Sequence, residues 1–126
     1  MTVLTQPPSP GDVLKYEVNP NFTREVVTLL AGKPYPVGSV LGKITTGGKY
    51  KLATSGGTDG AQTAVAVLLY AVDATLADAQ GIVVARGPAI ISRAELAYDA
   101  TVNDGAKITT KLGQLAAVGI IARDGV

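Results

Sequence analysis

Apolar residues along this chain gather in short runs, and glycine or proline separates one run from the next. That spacing is typical of short strands joined by turns. The first strands are predicted in residues 22–32, 39–44 and 49–53. Gly47 and Gly48 lie between the second and third of these and favour a hairpin turn. The first half of the chain is therefore predicted as a set of short antiparallel strands.

The longest apolar run extends from Ala64 to Val72 and lacks polar residues at alternate positions. A run of this kind predicts a strand that is buried on both faces, at the centre of the core. Further strands are predicted in residues 81–87, 88–92 and 119–123. Gly87-Pro88 separates the first two of these and should break or redirect the chain there.

Helices are predicted only in the last third of the chain. Ser92 and Glu95 have the spacing of a capping box, which predicts one or two helical turns. Asp104, with the asparagine before it, can cap a longer helix that Gly119 would end. The apolar positions of this helix are Ile108, Leu112 and Leu115. Together these patterns predict an α+β fold that is mainly β, with one or two short helices.

The N-terminal residues have a different character, because prolines and a glycine interrupt them. Residues 1–22 are therefore predicted to form a flexible, extended arm, and residues 23–126 a compact single domain. Within the arm, apolar and polar residues alternate closely enough to pair as an added edge strand on another protein. The candidate contacts are Val13, Leu14, Tyr16 and Val18. The alternative is that the arm packs back on its own assembly.

Composition narrows the function. The chain has 126 residues, which suits one domain, and a net charge of +1, which disfavours direct binding to nucleic acid. Only 17% of its residues are charged, although 47% are hydrophobic, so some aliphatic surface is expected at a subunit interface. No secretory signal is expected, and the longest apolar run is half a membrane span. We therefore expect a soluble protein without a membrane partner, which stays in the compartment where it is made.

The sequence contains no cysteine and no histidine. This excludes disulfides, thiolate metal sites and serine or cysteine nucleophiles activated by histidine. No catalytic residue, metal or cofactor is expected. Two carboxylate pairs, Asp73 with Asp78 and Asp99 with Asp104, remain as acid–base candidates, but aspartates in loops and at helix starts usually bind nearby backbone. The lysines are interpreted as solvated surface: Lys33, Lys43, Lys49, Lys51, Lys107 and Lys111.

A glycine-rich turn, Ser55 to Ala61, precedes the central apolar run. A phosphate-binding loop would lead into a helix with a lysine at its end, and a calcium loop would need more acidic ligands than this turn has. The turn is therefore predicted to be structural, with Gly56, Gly57 and Gly60 at positive φ and Asp59 capping its own backbone.

Four segments of the chain resemble one protein family. They are "REVVTLLAG" (24–32), "VGSVLGKIT" (37–45), "GGTDGAQTAVAVLLYAVDAT" (56–75) and "LAAVGIIAR" (115–123). In their order and spacing they resemble the phage lambda head decoration protein D family. The resemblance covers residues 24–123, and the arm departs from the family pattern.

The resemblance implies a β-clip-like fold and a homotrimer, made in the host cytoplasm, that sits on the outer surface of the virion. There the protein would cement local threefold sites of the expanded icosahedral head, with the major capsid protein as its partner and without a cofactor. The arm would then order against a capsid strand. Two alternatives stay open: a small β-rich module that binds a carbohydrate or peptide, and a hydrolase with paired carboxylates.

Overall fold

The computed structural model describes residues 13–124. Its strands are β1 (Leu14–Glu17), β2 (Arg24–Leu29), β3 (Pro34–Tyr35), β4 (Val40–Lys43), β5 (Tyr50–Leu52), β6 (Ala64–Leu68), β7 (Val72–Asp73), β8 (Ala79–Val84), β9 (Ala89–Ser92) and β10 (Ile120–Arg123). The helices are α1 (Pro20–Thr23) and α2 (Gly105–Ala117), with a 3-10 helix at Arg93–Glu95. The predicted α+β fold, mainly β, is confirmed. The β-clip likeness stays a prediction.

Five strands form a closed barrel in the order β2-β5-β4-β6-β8. The predicted hairpin is confirmed, because β4 and β5 pair antiparallel and Gly47 and Gly48 both have positive φ. One pairing differs from the expected antiparallel pattern: β2 meets β5 in parallel, with Leu29 opposite Tyr50. The barrel encloses the first apolar core, which includes Val27, Leu29, Leu41, Ala66, Leu68 and Val83.

A second sheet, in the order β1-β9-β10, lies beside the barrel. The second core includes residues from this sheet, from α2 and from the barrel strands, among them Val13, Val40, Val67, Val84, Ile91, Leu115 and Ile120. In three barrel strands, neighbouring residues belong to different cores: Val40 and Leu41 in β4, Val67 and Leu68 in β6, and Val83 and Val84 in β8. The expectation that the central strand is buried on both faces is therefore confirmed for β6.

The central strand is shorter than predicted. It ends at Leu68, and the chain then bends, so that Tyr70 is half-exposed and Val72 pairs with Tyr35 of β3. The cause is the change of partner, since β7 pairs with β3 and does not continue the pairing of β6 with β8.

The predicted break between β8 and β9 is confirmed. Gly87-Pro88 is a cis peptide, and the chain passes there from the barrel to the second sheet. Gly87 and Gly119 pack backbone against backbone, because a Cβ on Gly87 would lie 2.8 Å from the Cα of Gly119. The Gly87 amide also donates to the Val118 carbonyl at 2.9 Å. This contact fixes the end of α2 beside β9.

The long helix begins and ends as predicted. Asp104 accepts a hydrogen bond from the Lys107 amide at 2.9 Å, and Gly119 has φ of 87° just after the helix. The predicted capping box at Ser92 is only partly right. A single 3-10 turn forms there, but the Ser92 side chain makes no capping hydrogen bond and is buried.

Residues 13–22 differ from the predicted arm. Strand β1 pairs antiparallel with β9, and Val13 is fully buried in the second core. Glu17 also binds Arg24, with a distance of 2.7 Å from its Oε1 to the Arg24 Nη2. The alternating pattern was sufficient for an edge strand, but its partner is this chain's own β9. Residues 1–12 lie outside the described residues, and an arm there stays a prediction.

Candidate interaction surface

The glycine-rich turn forms a corner of the barrel. The Asp59 carboxylate accepts from the Ala61 amide at 3.0 Å and pairs with the Lys51 ammonium at 2.7 Å. The hydrogen bond from Lys51 lowers the pKa of Asp59, and the Ala61 amide adds to this effect. Gly57 and Gly60 have φ of 138° and 104°. Gly56 was also expected at positive φ, but it is not, since two left-handed glycines suffice to turn the chain.

Gly60 is also a point of close approach. A Cβ at this position would lie 2.7 Å from the Lys43 carbonyl oxygen, so any larger residue would push the turn away from β4. The Thr45 amide donates to the Asp59 carbonyl at 2.8 Å across the same contact. The geometry of the turn is thus accounted for by packing against β4.

The first candidate carboxylate pair is engaged in local structure. Asp73 accepts from the Thr75 amide at 3.0 Å, and the Thr75 hydroxyl lowers the pKa of Asp73. Asp78 accepts from the Ala31 amide at 2.7 Å and pairs with Lys49, which lowers the pKa of Asp78. Each carboxylate is thus an acceptor held in its charged form, which does not suit a general acid.

The second pair is engaged in the same way. Asp99 accepts from the Thr101 amide at 3.0 Å and lies 3.9 Å from the Lys33 ammonium. Burial raises the pKa of Asp99, but the Thr101 bonds and the nearby lysines outweigh it, and the pKa is lowered overall. Asp104 is the helix cap already described. No group of three or more acidic side chains that could hold a metal ion occurs within residues 13–124.

An apolar groove lies on the outside of the barrel. Val26 of β2 lies directly opposite Ile82 of β8, and the two are 64% and 37% exposed. This pair separates two depressions of about 280 and 330 Å³ and lines both of them. Val72 lines the second depression and a third of about 490 Å³. We call the three together the outer groove; its apolar lining includes Pro20, Val26, Pro36, Tyr70, Val72 and Ile82.

Charged residues lie at one end of the outer groove. Arg86 pairs with Glu25 and donates to the Phe22 carbonyl, and its guanidinium carbon lies 5.5 Å from the centre of the Phe22 ring. Phe22 itself is 53% exposed. Exposed apolar surface bordered by charge is typical of an interaction site.

The four candidate contacts in the N-terminal segment separate into two classes. Val13 is fully buried and Leu14 is half-buried, so Val13 cannot contact a partner as predicted. Tyr16 and Val18 are exposed and remain available on the surface. The difference follows from the pairing of β1 with β9, which directs Val13 into the second core.

Neither the outer groove nor the burial of one lysine was predicted from the sequence. The signal for the groove was present in β2, where Val26 lies two residues from Arg24 and two from Thr28, on the face that is otherwise polar. Lys111, which the sequence predicts as solvated surface, is buried. It lies four residues before Leu115 in α2, on the face that the helix buries.

In the described part of the chain, no helix has the length and apolar character needed to cross a membrane. Comparison with family models gave a match to "HDPD: Bacteriophage lambda head decoration protein D" over residues 3–120. Comparison with curated proteins gave no match.

Proposed function

The chain belongs to the bacteriophage lambda head decoration protein D family, and on that basis we propose that it binds as a homotrimer at local threefold sites of the expanded icosahedral head. Bound there, it stabilises the shell against the pressure of packaged DNA. The family is one of structural proteins of the phage capsid. The observation that carries the proposal is the family match, which extends over residues 3–120.

The proposed mechanism needs no catalysis. A protein that binds the assembled lattice, and not the separated subunits, stabilises the lattice by mass action. A trimer that touches several capsomers gains further, because its second and third contacts form within an already bound complex. The aspartates considered for acid–base work each have a local hydrogen-bond or ion-pair partner, which supports a purely structural role.

We assign the contact between copies of the chain to the outer groove. Its centre, Val26 and Ile82, is exposed apolar surface on the firmly paired strands β2 and β8. Burying such surface is the main favourable contribution in most protein–protein contacts. The contact with the major capsid protein is assigned to residues 1–12 together with Tyr16 and Val18.

Capsid melting tests the stabilising role. Purified, undecorated, expanded capsids are mixed with increasing amounts of the protein, and their disruption is followed by calorimetry and light scattering. We expect the melting temperature to rise and then reach a plateau at saturation. A melting temperature that stays unchanged at saturating protein would refute the proposal.

Val26→Asp tests the assigned contact between copies. Val26 is exposed, so the variant should fold, and a charge at the centre of the outer groove should prevent the trimer on the capsid. Leu76→Asp is the matched control, because Leu76 is 97% exposed and lies outside the groove lining. Reconstruction of decorated capsids should show threefold density with Leu76→Asp and not with Val26→Asp. Threefold density with both variants would exclude the groove.

Deletion of residues 1–12 tests the capsid contact. The deletion retains Val13 and β1, so the body should keep its circular dichroism spectrum and its melting temperature. We expect it to lose cosedimentation with capsids. Unchanged cosedimentation, or a body that no longer folds, would contradict the assignment.

A further inference from the structure

One buried lysine lacks a charged partner. The side chain of Lys111, in α2, is 1% exposed. Its ammonium donates to the Gln62 carbonyl oxygen and, at 3.3 Å, to the Gln114 Oε1, both of which are neutral. The ion pairs of residues 13–124 join other side chains, and none includes Lys111.

Burying an ammonium group without an opposite charge is unfavourable, because the group loses its hydration and gains only dipoles in return. The burial lowers the pKa of Lys111, and no carboxylate counters that shift. Folded proteins usually resolve such a cost with a charged partner. The described residues do not supply one.

A second cation lies one helical turn away. Lys107 is four residues before Lys111, so the two side chains share one face of α2. Like charges at this spacing destabilise a helix. The Lys107 ammonium donates to the Asn103 Oδ1 at 3.1 Å, which is again a neutral acceptor. Both lysines would therefore be stabilised by the same negative charge.

A small cavity lies between α2 and the glycine-rich turn. It measures about 50 Å³ and is lined by Ser55, Lys107, Thr110 and Lys111. A cavity needs about 10 to 15 Å³ on this measure to hold one water, so this one has room for a group of about four heavy atoms. The Ser55 hydroxyl is not used in any hydrogen bond with another described residue and can donate to such a group.

From the two lysines, the Ser55 hydroxyl and the cavity they line, we propose that this is a binding site for a small oxyanion. The anion is either free, as inorganic phosphate, or a carboxylate carried on a partner protein. Lys107 and Lys111 supply the positive charge, and Ser55 supplies a neutral donor. The site lies on α2 and the turn, includes none of the residues assigned above to the trimer and the capsid, and does not depend on the proposed function.

Calorimetric titration of the full chain with inorganic phosphate, and separately with acetate, tests the site at constant ionic strength. We expect saturable binding of one anion per chain. At a concentration ten times the dissociation constant, the melting temperature should rise by about 5 °C. Phosphate as the tighter ligand indicates the free anion, and acetate indicates a carboxylate from a partner. No saturable binding of either anion would overturn the proposal.

Lys107→Gln and Lys111→Met test the residues. We expect each to weaken anion binding at least tenfold. Lys43→Gln is the matched control, because it removes the same charge from an exposed side chain outside the cavity. It also corrects for the general stabilising effect of phosphate on folded proteins. If Lys111→Met does not fold, Lys107→Gln decides the question, since Lys107 is only half-buried. Equal anion binding by Lys107→Gln and Lys43→Gln would refute the site.

Discussion

The two apolar cores of this protein are built in different ways. The barrel core is enclosed by strands that lie between residues 24 and 84. The second core joins Val13, Ile91, Leu115 and Ile120, which are far apart along the chain. Helix α2, which contributes to it, also carries the buried Lys111. A closed barrel cannot collapse around a cavity, whereas a helix packed against a sheet can shift.

The largest expected effect comes from creating a cavity in the barrel core. Leu41 and Leu115 are both fully buried, one in each core. We expect Leu41→Ala to lower the free energy of unfolding by about 4 kcal/mol and Leu115→Ala by about 2.5 kcal/mol, because α2 can move to fill part of the space. Urea denaturation followed by circular dichroism measures both.

Leu41→Met and Leu115→Met are the matched controls, since they nearly conserve volume and should each cost less than about 1.5 kcal/mol. If the two alanine variants lose the same free energy, the cores do not differ in rigidity, and the comparison fails.

Val13→Ala tests whether the N-terminal strand belongs to the second core. The change removes two buried methyl groups and should lower the free energy of unfolding by about 2 kcal/mol. Val18→Ala, at a half-exposed position close by, should change it by less than about 0.5 kcal/mol. Equal effects would mean that β1 contributes no more to stability than a loose arm would.

Glu17→Gln tests the ion pair between Glu17 of β1 and Arg24 of the barrel strand β2. Burial raises the pKa of Glu17, but the hydrogen bonds from Arg24 and Thr23 outweigh it and lower the pKa overall. Because the folded pKa is below the unfolded one, the stabilisation is complete above the ordinary glutamate pKa of about 4.3 and is lost as the pH falls through the folded value.

Glu17→Gln should lower the free energy of unfolding by about 1 kcal/mol at neutral pH. The difference in free energy of unfolding between the unchanged protein and Glu17→Gln should become smaller as the pH is lowered from 5 to 2. A difference that is constant across this range would show that the charge of Glu17 does not contribute.

The smallest effect is expected at the corner of the barrel. Asp59→Asn keeps the acceptor for the Ala61 amide and loses only the exposed pair with Lys51. Exposed pairs contribute little, so the thermal midpoint should not change measurably. Asp59→Ala, which also removes the acceptor, should lower the midpoint. A clear loss with Asp59→Asn would show that the charge matters more here than the turn geometry.

Local patterns were sufficient to predict most of the barrel and the long helix. The run from Ala64 lacks alternation because β6 faces both cores, and Asp104 and Gly119 mark the ends of α2 because the helix termini need those residue types. In each case the signal lies within a few consecutive residues, so it can be recognised from the sequence alone.

Other features depend on partners distant in sequence. The β1 pattern indicates a strand, but nothing local indicates that it pairs with Ile91, more than seventy residues later. The burial of Lys111 depends on the Gln62 carbonyl, which only the folded chain brings near. The outer groove arises where four separate segments meet. Residues of this kind are the ones that sequence reasoning misplaced.

Strand β6 separates the two cores, with Ala66 and Leu68 on one side and Ala64 and Val67 on the other. Because β6 contributes to both cores, unpairing this strand would expose both cores to solvent. The protein should therefore unfold in one cooperative step, with the amides of residues 64–68 among the slowest to exchange with solvent. A load applied to the outer face of the barrel would reach α2 through the backbone of β6, a barrel strand that packs against the helix.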